Sequence, residues 1–100
     1  MRKLANPPAV ERDENAIQMI SGWIAEQGLH CTLNIGMWKS SGHDEPKAWG
    51  IFLADVIRHV ANAIEENEGS AQSLTTESIL KSLNAELNKP TSNATGHFPS

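Results

Sequence analysis

The sequence predicts an α+β fold in which three helices pack on a minimal β-sheet, in the order helix, strand, helix, helix. Two observations carry the prediction. Leu29, Cys31, Leu33, Ile35 and Met37 alternate with His30, Thr32, Asn34, Gly36 and Trp38, the period of two that marks a half-buried strand. On either side of that run, apolar residues recur at three- and four-residue spacing, as amphipathic helices require. A chain of 100 residues suffices for one domain with a modest core. A lone strand leaves a row of backbone N–H and C=O groups without partners. The sheet is therefore expected to be completed by dimerisation, with residues 29–38 pairing with the same strand of a second copy.

The elements follow in order. Residues 1–12 read as an extended lead-in, because Pro7-Pro8 holds the backbone near polyproline geometry; residues 2–6 form a second candidate partner for the strand. Residues 13–90 read as a single α+β domain. Asp13 is placed as the N-cap of a first helix whose apolar face is Ala16, Ile17, Ile20, Trp23 and Ile24. Gly28 stands where a C′ glycine ends such a helix, with Leu29 following at C″. After the strand and the polar loop at 39–43, Asp44 caps a second helix over 45–66, with Glu45 and Pro46 in its first turn. Trp49, Phe52, Leu53, Val56, Ile57, Val60 and Ile64 share one face of it. A polar linker at 65–73 precedes a third helix near Thr75, where Leu74 and Ile79 are spaced as a hydrophobic staple. Ile79, Leu80, Leu83 and Leu87 form its stripe, and Pro90 stops it. Residues 91–100 are too polar to pack and read as a mobile tail.

Composition narrows the function classes. Eight basic and twelve acidic side chains leave a formal charge of −4, and the basic residues are scattered. Phosphate-backbone binding needs them clustered, so no nucleic-acid partner is expected. No apolar run is long enough to span a bilayer, and the first residues lack the apolar core of a signal peptide. The single cysteine excludes an internal disulfide and fits a reducing compartment. The expected setting is the cytoplasm, away from membranes.

His30, Thr32, Asn34 and Trp38 project from the polar side of the predicted strand. Pairing across a two-fold axis would duplicate them and build a shallow ligand site at the seam; otherwise they are solvent-facing residues in cross-strand pairs. Asp55 and His59 lie four residues apart on one helix face, a spacing that orients an imidazole or begins a metal site. A metal needs three or four converging ligands, so an exposed polar stripe is favoured and no metal is expected. Cys31 falls on the apolar side, where a thiol behaves as a small hydrophobe. No Gly-rich phosphate loop and no Cys pair at metal spacing occur, and no cofactor is implied. Two functions remain: a non-enzymatic homodimeric interaction or regulatory module, or a small-ligand-binding protein or enzyme with His30, Asn34, Asp55 and His59 at the dimer seam.

The stretches Gly28-Leu29-His30-Cys31-Thr32-Leu33-Asn34-Ile35-Gly36-Met37-Trp38 and Trp49 through Ala63 resemble those of a family of short bacterial proteins, a domain of unknown function. The resemblance runs from the lead-in to the end of the third helix. It implies a small stand-alone cytoplasmic protein and carries no catalytic or binding residues.

Overall fold

Glu26 and Gln27 have φ of 49° and 62°, and this pair of left-handed residues reverses the chain into a hairpin. In the computed structural model, which describes residues 1–90, β1 (Ile20–Ala25) and β2 (Gly28–Leu33) form a two-stranded antiparallel sheet. The register runs from Ala25 opposite Gly28 to Ile20 opposite Leu33. A two-residue loop with positive φ at both positions matches the right-handed twist of the strands it joins. The class is α+β with helices before and after the sheet: a short helix, a hairpin in the strand position, then a one-turn helix and two long ones.

The segment from Asp13 departs from expectation: no helix forms there. The leading helix is instead the single turn α1 (Pro8–Arg12), within the predicted extended lead-in, with proline in its first turn. Asp13 makes a local turn, its Oδ1 accepting from the Asn15 amide at 2.9 Å. Helical spacing of Ile17, Ile20, Trp23 and Ile24 loses to three effects. Gly22 disfavours a helix interior by about 1 kcal/mol, Ile and Trp suit a pleated surface, and β2 needs a partner for its backbone. Gly28, read as a helix stop, is the first residue of β2. Residues 2–6 form no strand; with Pro7 they line a groove beside Gln18 and Ile20–Trp23 of β1.

The predicted strand also stops short, at Leu33. Gly36 adopts φ 96°, and Met37 and Trp38 enter a one-turn helix, α2 (Met37–Ser40). The chain divides into two compact units, Met1–Ile35 and a second beginning at Gly36. In the first unit, paired residues share a face. Ser21, Trp23, His30 and Thr32 lie on one side, and Ile20, Gly22, Ile24, Leu29, Cys31 and Leu33 on the other. Cys31 and Leu33 are half-buried while His30 and Thr32 are exposed, the alternation expected of them.

In the second unit, α3 (Glu45–Glu68) follows Asp44, whose Oδ1 accepts from the Lys47 amide at 3.2 Å. It runs two residues beyond the predicted end and closes on Gly69, at φ 76°, whose amide donates to the Glu65 carbonyl at 2.8 Å. The last helix, α4 (Gln72–Asn88), starts three residues before Thr75, from Ala71. Neither the Thr75 cap nor the Leu74 staple forms, and Leu74 stays exposed. Gln72 decides the start: its amide donates to Asn62 Oδ1 and Glu65 Oε1 of α3, tying the two helices where the loop turns. Pro90 follows the end of α4 as expected. The predicted tail at 91–100 lies outside the described residues.

Among the described residues, Ala61 alone is buried, at 1% exposure, while fifteen large apolar side chains are 36% exposed or more.

The turn geometry yields the first prediction. A left-handed residue with a side chain costs roughly 1–2 kcal/mol, and Asn-Gly relieves that strain. Glu26→Asn with Gln27→Gly should raise the thermal midpoint measured by circular dichroism; an unchanged or lowered midpoint would contradict the hairpin.

Candidate functional site

Glu45 opens α3 and closes α2. Its Oε2 accepts from the Gly36 amide at 3.1 Å and from the Trp49 indole N–H at 2.9 Å, and its Oε1 accepts from the Lys39 amide at 2.9 Å. The orphan amides at the start of α2 thus find a carboxylate supplied by the following helix. The Gly36 amide, the largest influence, holds the Glu45 carboxyl below its ordinary range; desolvation, second in size, opposes it, and the Lys39 amide, the Trp49 indole and the Trp38 amide add to the lowering.

This anchor fixes Trp38 over α3. Its ring meets Trp49 edge to face at 5.1 Å between centroids and lies 6.1 Å from Phe52, while Trp49 and Phe52 are 5.5 Å apart. Such pairs contribute about 0.5–1.5 kcal/mol each beyond area burial. Trp38 is therefore a half-buried member of an aromatic cluster, and the expectation of an exposed strand-end tryptophan is corrected. Beside the cluster runs a groove of about 590 Å³, with Trp38, Ile51 and Phe52 as apolar lining and His43, Asp44, Lys47, Asp55 and Arg58 as its charged and polar lining. Its two cations, Lys47 and Arg58, are balanced by two carboxylates, Asp44 and Asp55, above an apolar floor.

Of the sequence-predicted residues, His30, Thr32 and Asn34 belong to the first unit and Trp38, Asp55 and His59 to the second. Trp38 and Asp55 both line the groove. His59 Nδ1 lies 3.6 Å from Asp55 Oδ2, with both side chains well exposed; an exposed pair of this kind contributes little. His30 is in β2, opposite Trp23, and its Nε2 hydrogen bonds the Ala25 carbonyl at 3.0 Å. Thr32 and Asn34 line a small cleft at the open end of the hairpin, where the Asn34 amide donates to the Met19 carbonyl at 2.9 Å. Trp38 does not share a strand face with His30 and Thr32, because β2 ends at Leu33 and Gly36 turns the chain into α2. Glu45 was read only as a favourable charge in a helix's first turn. The missed signal was Trp49 four residues on, an indole donor on the same helix face.

Among the described residues, no three His, Cys, Asp or Glu side chains come together as a metal would need, and no helix is long and apolar enough to cross a membrane.

A family model described as a domain of unknown function, DUF5076, matches residues 3–91, and the chain belongs to that family. No curated protein matches the sequence. Among solved structures, the chain resembles one described as "a putative pyruvate dehydrogenase" from the photosynthetic bacterium Rhodopseudomonas palustrus. The two are 26% identical with a TM-score of 0.69, over 100% of this chain and 97% of that one.

Glu45→Gln tests the anchor. A lowered carboxyl pKa contributes stability that is present at neutral pH and lost as pH falls through the folded-state value. Gln should therefore lower the thermal midpoint at pH 7, and the gap to the parent should narrow once the pH drops below the usual glutamate range. A gap independent of pH would mean that the charge is not what holds α2.

Proposed function

We propose that this chain is a non-enzymatic, homodimeric interaction module of the bacterial cytoplasm, joined through the outer edge of β2. The observation that carries the proposal is that fifteen large apolar side chains stay exposed while one alanine alone is buried among the described residues, an imbalance that association relieves. An isolated two-stranded hairpin is marginal in water. The Asn34 amide bonds to Met19, so by antiparallel alternation the even-numbered residues of β2 aim their backbone groups at β1 and Leu29, Cys31 and Leu33 aim theirs outward. The lead-in runs beside β1, which favours β2 as the joining edge.

Two such edges related by a two-fold axis at Cys31 make a four-stranded antiparallel sheet. His30 then lies opposite Thr32 of the partner subunit, and the polar faces of the two hairpins become continuous. The name borne by the Rhodopseudomonas protein supplies no activity here. Among the described residues, the only imidazole–carboxylate pair is the exposed one at Asp55 and His59.

A small-ligand-binding role is the second reading, favoured by the groove that brings Trp38, Asp55 and Arg58 together. Quenching of tryptophan emission by an aromatic carboxylate, lost in Arg58→Ala, would support it, and emission indifferent to the carboxylate would remove it.

The dimer is tested at its own edge. Proline at an outward-facing position deletes a free donor and spares the β1–β2 ladder. Cys31→Pro should halve the native mass measured by light scattering, while Cys31→Ser keeps it. Equal masses for the two variants would overturn the joining edge.

A further inference from the structure

The groove beside the aromatic cluster follows one face of α3. Ala48, Ile51, Phe52, Asp55 and Arg58 recur at three- and four-residue spacing, and all five line it together with Trp38. Its formal charges fall in two pairs of opposite sign, Asp44 with Lys47 at the start of the helix and Asp55 with Arg58 further along. The first pair is partly engaged, since Asp44 Oδ1 accepts from the Lys47 amide at 3.2 Å to cap the helix. The second is open. Asp55 Oδ2 faces His59 at 3.6 Å, which leaves Oδ1 to accept, and among the described residues no carboxylate pairs with the Arg58 guanidinium. Two opposite charges therefore stand within one turn of each other beside an apolar floor, without bonding to each other.

We propose that this groove takes a free α-amino acid with a bulky apolar side chain, an inference that rests on the small-ligand reading of the same groove. The zwitterionic head group complements the open pair. Its carboxylate accepts from Arg58, whose planar fork matches two oxygens, and its ammonium donates to Asp55. The side chain then lies along Ile51 toward Phe52 and Trp38, where a further ring extends the contact those two make at 6.1 Å. A ligand with one charge satisfies only one member of the pair, and an uncharged one satisfies neither. At about 590 Å³ the groove is in the size range of small-molecule sites.

Calorimetric titration of the full chain with L-phenylalanine, phenylpropionate and phenethylamine tests the assignment, because the last two each lack one charge of the first. Phenylalanine should bind about tenfold more tightly than either analogue, the loss expected for one charge-assisted contact at an exposed site. Arg58→Ala should weaken phenylalanine to the level of phenethylamine, and Asp55→Asn should weaken it to that of phenylpropionate; both side chains are exposed, so neither change disturbs packing. Phenylpropionate binding as tightly as phenylalanine would overturn the zwitterionic ligand and leave the small-ligand reading standing. No binding by any of the three compounds would remove both. Phenylalanine affinity unchanged in Arg58→Ala would also overturn the proposal, since the head group would then lie elsewhere.

Discussion

Leu53, Val56 and Val60 on α3, Leu80, Leu83 and Leu87 on α4, and Ile24 and Leu29 at the hairpin tip all keep 36% or more of their surface in solvent, while among the described residues Ala61 alone is buried. That imbalance is the constraint from which the rest of the molecule is best understood. Burying a Val, Leu or Ile side chain stabilises by about 1.5–3 kcal/mol, and most of these residues realise only part of that within their own unit. The rest of that gain is what the proposed self-association would draw on.

Within the second unit, order spreads from a carboxylate. Glu45 gathers the Gly36 and Lys39 amides and the Trp49 indole, converting a four-residue helix that is too short to persist alone into a fixed shelf for Trp38. The aromatic cluster follows from that shelf, and the groove follows from the cluster. A single ionised side chain thus joins local capping to the shape of the groove beside Trp38 and Phe52.

In the first unit, the same logic operates through backbone groups. Glu26 and Gln27 accept an unfavourable conformation because the turn lets β1 satisfy one edge of β2. Membership of the DUF5076 family and the likeness to the Rhodopseudomonas structure over nearly the whole of both chains indicate that the architecture recurs beyond this chain.

By itself, the sequence determined the α+β class, the alternation of Cys31 and Leu33 with His30 and Thr32, and α3 with its Asp44 cap, because strand period, helix period and capping are local physics written in neighbouring residues. It also determined where α4 ends, since proline cannot continue a helix. Only the tertiary structure decided that Ile20–Ala25 is a strand: its helical spacing was overruled by the hydrogen-bonding need of β2, and no Asn-Gly pair announced the turn. The same holds for Trp38, which left the strand for an aromatic cluster because Glu45, nine residues beyond Gly36, reaches back to hold the turn. Such a contact depends on where two elements meet in space, and residue order alone does not encode it.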